Sequence, residues 1–388
     1  MKLLFVVNDY SFFVTHRLPI ANTCIDRGWD VHVATPQMDE AAEQARREGL
    51  TWHGLAMDPG SLNPVTDLRS VWDLARLYKT VGPDLVHHVT VKAVLHGSMA
   101  ARMAGVPAVV NALSGLGYLY INHNLRNRVI RPVVNTLFRL GFNHPNSRLI
   151  LQNEDDRQMV LDYKLLDREA ITIIRGSGVN TQKFDYLPET NDDVTVVLPA
   201  RMLWDKGVGE FVAAAQKLNR EGIDATFHLL GDTDPKNPKS IPRERLREWD
   251  SEEGLFYEGY QEDMVTALEE SSIVCLPSYR EGLPKALLEA ASVGRPIVTT
   301  DAPGCREVVD DGENGYLVPV KDSNMLAERI KTLVNDPGLR KRFGEKGRQK
   351  VEESLSVDHV VDKTLALYQA LLESAETGSA TAKEPAAE

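Results

Sequence analysis

The sequence predicts an α/β fold made of two doubly wound domains that face each other across a cleft. Three observations predict it. Short apolar runs alternate with helical stretches, this rhythm occurs twice, and a polar segment near residues 183–193 separates the two series. A length of 388 residues also fits two domains better than one core.

Each predicted strand is a short apolar run, which is typical of a parallel sheet covered by helices on both faces. In the first half these runs are residues 3–7, 30–34, 84–88, 108–110 and 148–152. In the second half they are residues 194–198, 226–230, 273–276 and 296–299. Ligands of such folds bind beyond the carboxyl ends of the strands, so we expect the functional residues there.

The pattern divides the chain into four segments. We expect a first domain over residues 1–185, a second domain over residues 186–355, a helix over residues 356–373 and a disordered tail over residues 374–388. The tail prediction rests on small and charged residues that occur without large apolar ones.

Composition excludes several classes of protein. A formal net charge of −12 argues against nucleic-acid binding. The three cysteines, Cys24, Cys275 and Cys305, are too few and too widely spaced for a disulfide framework, which favours a reducing compartment. No apolar run approaches the roughly 20 residues of a membrane-spanning helix, and the apolar start is too short for a signal peptide. Any membrane contact is therefore expected to be peripheral.

Basic residues are concentrated in one segment. Residues 85–153 contain seven basic residues and no acidic one, so the remainder of the chain carries the excess negative charge. Within it, residues 124–142 mix arginines with bulky apolar residues, as an amphipathic helix at a membrane surface does. The alternative is an ordinary helix that packs on the core and turns its arginines to water. Pro132 is expected to kink or restart this helix.

Two glutamates stand eight positions apart where a predicted strand leads through a loop into a helix. If the helix began at once, Glu281 and Glu289 would lie on the order of 12 Å apart along its axis. The backbone N–H groups of Gly282 and Leu283, with Pro284 at the first helical position, would attract a diphosphate. Glu281 would then hold a sugar and Glu289 a ribose. Alternatively, Glu281 only interacts favourably with the positive end of the helix dipole, and Glu289 is a solvated helix residue.

Cations follow another predicted strand. Arg201 and Lys206 come just after residues 194–198, where they would neutralise a diphosphate leaving group, unless they are merely a surface Arg and a loop Lys. Asp232 and Asp234 form an Asp-x-Asp pair, a pattern that can hold Mg²⁺ or Mn²⁺. Because a turn-rich stretch follows, we interpret Asp232 as a turn or capping residue and predict no metal site.

Together these segments resemble the retaining GT-B glycosyltransferases of family 4. The resemblance rests on residues 173–180, 197–207, 257–260, 281–289, 303–308 and 311–315. It implies a GT-B fold of two Rossmann-like domains, a closing helix that crosses back to the first domain, a UDP-sugar donor and retention of configuration. It also implies that Arg201, Lys206 and Glu281 serve catalysis, that Gly259 and Tyr260 lie beside the base, and that no metal or other cofactor is needed.

The amino-terminal half is similar to one subgroup of that family. Residues 61–64, 114–118 and 200–204 resemble bacterial transferases that extend undecaprenyl-diphosphate-linked sugars, including N-acetylgalactosaminyltransferases. This implies a lipid-linked acceptor and a cytoplasmic enzyme at the inner face of the membrane. The acceptor-side or membrane-side candidates are His16, Arg17, Lys92, Arg126, Arg128 and Arg131. A histidine that many members place after the fourth strand is absent, since Leu113, Ser114 and Gly115 stand there.

We therefore expect an enzyme that transfers a hexose or N-acetylhexosamine from a UDP-sugar to a lipid-linked saccharide. Two other classes stay open on the sequence. One is an isomerase that resembles UDP-N-acetylglucosamine 2-epimerases, and the other is a non-catalytic module that binds nucleotide sugars.

Overall fold

The computed structural model describes residues 1–36, 40–57, 63–114, 125–142, 144–189 and 193–381. The chain forms two compact units. One consists of Met1–Ser177 together with the terminal helix from Val360, and the other is Gly178–His359. Each unit has its own parallel sheet, so the prediction of two doubly wound α/β domains is confirmed.

The first unit contains a seven-stranded sheet within the described residues, in the order β3-β2-β1-β4-β5-β6-β7, and every pair is parallel. Its strands are β1 (Lys2–Val7), β2 (Asp30–Pro36), β3 (Thr51–Leu55), β4 (Leu85–Val89), β5 (Ala108–Ala112), β6 (Ser147–Leu151) and β7 (Ile171–Ile173). Its first helices are α1 (Tyr10–His16), α2 (Leu18–Asp26), α3 (Ala41–Arg47), α4 (Pro64–Val81), α5 (Val91–Ala104), α6 (Leu125–Phe142) and α7 (Glu154–Asp162).

Within its described residues the second unit repeats this plan with six strands in the order β10-β9-β8-β11-β12-β13, again all parallel. Its strands are β8 (Thr195–Pro199), β9 (Thr226–Leu230), β10 (Leu255–Gly259), β11 (Ile273–Leu276), β12 (Ile297–Thr300) and β13 (Gly315–Val318). Its helices are α8 (Val208–Arg220), α9 (Arg243–Asp250), α10 (Met264–Glu269), α11 (Lys285–Val293), α12 (Cys305–Val308), α13 (Ser323–Asn335) and α14 (Pro337–Lys350). The chain ends its described part in α15 (Val357–Thr381).

Central strands are buried on both faces, which explains their unbroken apolar sequence. Every residue of β4, β5, β11 and β12 is buried. Parallel strands carry helices on both sides, so alternation of polar and apolar residues disappears. Because β8, β11 and β12 are neighbouring parallel strands, their carboxyl ends lie on the same side of the second sheet. The loops that follow them therefore lie next to one another.

The division between the units falls earlier in the chain than expected. We predicted it between residues 185 and 186, but Gly178 already belongs to the second unit. The polar segment is anchored there: the Val179 N–H donates to the Leu355 carbonyl at 3.1 Å, and the Phe184 side chain is buried in that unit's core. The buried Arg295 guanidinium donates to the Leu187 carbonyl at 2.6 Å. These contacts attach the segment to the second unit.

Two further expectations need correction. We predicted a disordered tail from residue 374, but α15 continues to Thr381. Extending an existing helix orders only one residue for each hydrogen bond gained. The last turns of α15 can therefore form without an apolar face that packs on the core. We also expected Pro132 to kink or restart a helix; α6 runs through it as one element, which excludes a restart, while the kink stays a prediction.

Some predicted features lie outside the described residues. They are Ser61 and Leu62 of the 61–64 motif, residues 115–118, residues 190–192 and residues 382–388. Over the part of the chain that the structure describes, no helix combines the length and the apolar character needed to cross a bilayer.

Candidate functional site

The candidate site is built from loops at the carboxyl ends of strands in the second sheet. We call residues 200–207, 277–284 and 301–304, which follow β8, β11 and β12, the loop cluster. In the first of these loops Gly207 adopts a φ of +74°, and a Cβ there would lie 2.1 Å from the Pro277 carbonyl oxygen. Only glycine permits this approach. The Tyr279 N–H donates to the Asp205 carbonyl at 2.9 Å, which ties the two loops together.

This packing brings Lys206 and Glu281 into an ion pair, although they are far apart in sequence. Their side chains are only 20% and 13% exposed. The structure therefore joins two of the predicted catalytic residues at one point. A partly desolvated pair of this kind holds a cation in a fixed position where water screens it poorly.

The third loop supports the backbone on the other side of Glu281. The Glu281 N–H donates to the Pro303 carbonyl at 3.0 Å. Gly304 has a φ of +81°, and a Cβ there would lie 2.6 Å from the Gly282 carbonyl oxygen and 2.7 Å from that of Glu281. The position of Glu281 is thus set by backbone contacts from both neighbouring loops.

Helix α11 begins one residue later than we predicted. Pro284 has φ −73° and ψ 112° and caps the helix, which starts at Lys285. Among the described residues no side chain caps this amino end. Glu281 and Gly282 therefore precede the helix in a loop, and the expected helical spacing of about 12 Å does not apply between Glu281 and Glu289. Leu283 packs against the unit's core.

Glu289 lies within α11 and is largely withdrawn from solvent. Its side chain is 13% exposed, and the nearest basic group given by the structure, Lys285 Nζ, lies 3.9 Å from its carboxylate. Burial raises the pKa of the Glu289 carboxyl above its ordinary value, while Lys285 and Lys183 lower it. A buried carboxylate with so weak a partner is costly to the fold, and such groups concentrate at functional sites.

Arg201 does not join the Lys206–Glu281 pair. Its exposed guanidinium contacts the Asp234 carboxylate at 2.8 Å, in the loop that follows β9. Gly231 lets this loop approach, because a Cβ at Gly231 would lie 1.9 Å from the Ala200 carbonyl oxygen. The structure thus places Arg201 and Lys206 in the same loop of the cluster but gives them different partners.

Both carboxylates of the Asp-x-Asp pair form ion pairs with arginines. Asp232 accepts from Thr233 N–H at 2.7 Å, as a turn residue does, and from Arg243 at 2.9 and 3.0 Å. The Thr233 hydrogen bond lowers the pKa of Asp232, and Arg243 contributes. In the described ranges no group of three or more His, Cys, Asp or Glu side chains is arranged to hold a metal ion.

A pocket of about 250 Å³ adjoins this pair. Its lining comprises Asp232, Arg243, Arg247, Tyr257, Gly259 and Tyr260. Gly259 and Tyr260 were predicted from the sequence, whereas Arg243 and Arg247 were missed. Their i, i+4 spacing on α9 puts both on one helix face, which is the signal that the sequence offered.

The acceptor-side candidates of the first unit have different surroundings. His16 Nδ1 lies 2.7 Å from Thr15 Oγ1 and its ring stacks on Phe12. Lys92 forms an ion pair with Asp67 at 3.1 Å. The side chains of Arg126, Arg128 and Arg131 lie outside the described part, although the backbone of α6 is described.

Arg17 is a buried cation, with 4% of the residue exposed. Its Nη1 donates to the His16 carbonyl, its Nε finds no hydrogen-bond partner among the described residues, and burial lowers its pKa. Within the described residues no carboxylate forms an ion pair with it. An arginine in this state retains unused capacity to bind an anion.

His87 and His88 are both core residues. A central parallel strand is covered on both faces, so these neighbouring side chains of β4 are both buried. His87 Nδ1 meets the Tyr368 hydroxyl, and His88 Nδ1 meets Asn111 Oδ1 at 2.8 Å. Burial lowers the pKa of His87 well below its ordinary value and that of His88 to about 4.

Both halves of the chain match models of protein families. Residues 179–350 match the family described as glycosyl transferases group 1, and residues 2–153 match the glycosyl transferase 4-like family. Together the two matches span most of the chain.

Relatives and solved structures extend these matches over nearly the whole chain. An N,N'-diacetylbacillosaminyl-diphospho-undecaprenol alpha-1,3-N-acetylgalactosaminyltransferase of Campylobacter jejuni is 29% identical, covering 96% of this chain and 99% of that protein. A UDP-Gal:alpha-D-GlcNAc-diphosphoundecaprenol alpha-1,3-galactosyltransferase of Escherichia coli is 24% identical over 79% of this chain and 81% of its own. The Anabaena protein HepE, solved with UDP and glucose, superimposes with a TM-score of 0.75 at 17% identity, covering 95% of this chain and 99% of that one.

Proposed function

This chain belongs to the GT-B-fold glycosyltransferases, and we propose that it transfers a hexose or N-acetylhexosamine from a UDP-sugar to an undecaprenyl-diphosphate-linked saccharide. The similarity to the Campylobacter transferase, which extends over almost the full length of both proteins, supports the acceptor class. The reaction is retaining and independent of a metal, as the family resemblance implies. It serves polysaccharide or glycan assembly.

The observation that carries the proposal is the Lys206–Glu281 pair beside the uncapped start of α11. The donor diphosphate binds at the N–H groups of this helix end, where backbone dipoles favour an anion. Lys206 and Arg201 then stabilise the negative charge that develops on the diphosphate as the glycosidic bond breaks. Because Glu281 holds Lys206 in place before the donor arrives, this cation needs little reorganisation when the donor binds.

The two glutamates hold the rings at either end of the diphosphate. Glu281 accepts hydrogen bonds from hydroxyls of the transferred sugar, and Glu289 accepts from the ribose. The base lies at the pocket beside Gly259 and Tyr260. The acceptor hydroxyl attacks the face from which the diphosphate departs, and a diphosphate oxygen takes its proton, so that configuration is retained without a second carboxylate nucleophile.

On the acceptor side we assign the main role to Arg17. Its buried guanidinium with an unpartnered Nε supports a contact with the acceptor diphosphate. Lys92 assists less, because Asp67 already neutralises it. His16, Arg126, Arg128 and Arg131 complete the acceptor or membrane side of the proposal. The enzyme works in the cytoplasm, in peripheral contact with the anionic inner face of the membrane.

A panel of radiolabelled UDP-sugars, incubated with bacterial membranes that contain lipid-linked saccharides, tests this function. We expect one UDP-sugar to label a chloroform-extractable product. Conversion of a UDP-sugar without acceptor would instead identify an isomerase, and binding of UDP-sugars without turnover of any of them would identify a binding module. Either result would contradict the proposal.

A further inference from the structure

Helix α4 exposes an apolar stripe on the first unit. Its inner face packs in the core through Val71, Leu74, Ala75 and Tyr78. On the opposite face Val65, Leu68 and Trp72 are 76%, 61% and 54% exposed. Their i, i+3, i+7 spacing aligns them along one side of the helix, and an exposed tryptophan within such a row is uncommon on a surface that meets only water.

Basic residues share this outer face. Arg69, Arg76 and Lys79 are exposed, and at 100° per residue they fall within the same arc as the apolar three. Asp73, 3.8 Å from Arg69, lies at the margin of the arc. Asp67 points away, since it pairs with Lys92. We call Val65, Leu68, Arg69, Trp72, Arg76 and Lys79 the α4 stripe.

We propose that the α4 stripe docks the protein on an anionic lipid bilayer. The inference rests on the proposed function, because a polyprenyl-linked acceptor keeps the enzyme at a membrane. Apolar side chains at the amino end enter the interface, tryptophan favours the headgroup level, and the three cations contribute electrostatic attraction to anionic lipids. The predicted basic segment of residues 85–153 does not include α4, so the assigned surface is a new one.

Charge distribution favours a bilayer over a second copy of the chain. The apolar residues occupy the amino-terminal half of the stripe, and Arg76 and Lys79 occupy the other half. Antiparallel pairing of two copies about a two-fold axis would place these cations against apolar side chains. Parallel pairing would bring like charges together. An anionic bilayer satisfies both halves of the stripe at once.

Co-sedimentation with vesicles tests the stripe. The probe is a vesicle of phosphatidylglycerol and phosphatidylethanolamine, with phosphatidylcholine vesicles for comparison. We expect the double variant Leu68→Gln/Trp72→Ser to lose about tenfold or more in apparent affinity, and Arg69→Gln/Arg76→Gln/Lys79→Gln to lose a similar factor that shrinks at high salt. The matched control is Val320→Gln, an exposed apolar residue of the second unit, which should bind as the wild type does.

Two further measurements separate this inference from the proposed function. Transfer to a water-soluble, short-chain acceptor should be the same for the wild type and the stripe variants, because none of these residues belongs to the site. If the wild type transfers no sugar, the proposed function fails, while the vesicle data still decide the stripe. Unchanged vesicle binding by both variants would overturn the inference. So would a wild-type dimer in light scattering that Trp72→Ser converts to monomer.

Discussion

At the scale of single residues, the site depends on charges that the fold withdraws from water. Lys206 and Glu281 come from loops after different strands, and each is mostly buried. Holding such a pair costs desolvation energy that a surface pair does not incur. The gain is a cation whose position is fixed before the substrate binds, which is the condition for effective stabilisation of a developing charge.

Replacing Lys206 tests its part in the reaction. Because Lys206→Ala removes one preorganised cation, we expect kcat to fall by about 10²–10³. It also leaves the Glu281 carboxylate without its partner, which should lower the free energy of unfolding by about 1–3 kcal/mol. Steady-state kinetics and urea unfolding measure the two effects. Lys331→Ala, which breaks an exposed pair with Glu221, is the control and should change neither. A kcat within threefold of the wild type would contradict the assignment.

Glu289 should trade stability for binding. Its folded-state pKa is raised, so the fold favours the protonated form and the wild type loses stability as the pH rises above the ordinary value of 4.5. Glu289→Gln removes this loss. We expect the variant to melt at a higher temperature than the wild type at pH 7, but not at pH 4, and to bind the UDP-sugar at least tenfold more weakly.

Calorimetry at both pH values and titration with UDP check this prediction. Glu328→Gln, which alters an exposed glutamate on α13, serves as the control for loss of a charge. An unchanged donor affinity in Glu289→Gln would contradict the proposed contact between Glu289 and the ribose.

At the scale of elements, the sequence predicts the interior of each sheet and misses its edges. All nine strands taken from apolar runs are present within a residue or two. In the part of the chain that the structure describes, the four missed strands are β3, β7, β10 and β13, and each lies at an edge of its sheet. An edge strand is partly exposed, so it carries no continuous apolar run; β10 reads Leu-Phe-Tyr-Glu-Gly with alternating burial.

The contacts within the loop cluster were less predictable for a related reason. The resemblance identified Arg201, Lys206 and Glu281 by type, but the partner of each depends on which loops the sheet order brings together. The Arg201–Asp234 pair joins loops after neighbouring strands, and nothing in the local sequence of either loop specifies it. The spacing of Arg243 and Arg247 indicates a shared helix face, but the ion pair of Arg243 with Asp232 depends on the same contacts between distant segments.

Glycine at position 304 should be required for the geometry of the loop cluster. Alanine there would need a φ near +81° and would press its Cβ on the Glu281 and Gly282 carbonyls. We expect Gly304→Ala to lower kcat/KM at least tenfold and the free energy of unfolding by about 2–3 kcal/mol. Gly312→Ala separates the two causes, since its φ is +77° but nothing lies within 4 Å of the added Cβ. It should cost only about 1 kcal/mol and leave kcat/KM unchanged. Equal kinetic effects of the two variants would count against a close fit at Gly304.

At the scale of the whole molecule, the first unit is assembled from both ends of the chain. The helix from Val360 belongs to it, and Tyr368 is fully buried against β4 and Trp29. Asn146 Nδ2 donates to the Leu371 carbonyl at 2.8 Å. The apolar pattern predicts this helix as an element, but only the resemblance indicates the domain to which it returns. The periodicity of a helix carries no information about its distant partner.

Removing the Tyr368 side chain should therefore destabilise the first unit alone. We expect Tyr368→Ala to cost about 3–5 kcal/mol, as the loss of a large core side chain does. Hydrogen exchange followed by mass spectrometry should show faster exchange in β4 and unchanged exchange in β11, which lies in the other unit. Faster exchange in β11 to the same extent would contradict the division into two units.

A crystal structure with UDP shows whether the loop cluster and the start of α11 hold the donor. We expect the diphosphate at the backbone N–H groups of Leu283 and of the first turn of α11, Lys206 within hydrogen-bond distance of a phosphate oxygen, and the Glu289 carboxylate on the ribose hydroxyls. UDP bound at another edge of the fold, or a ribose that Glu289 does not touch, would contradict it.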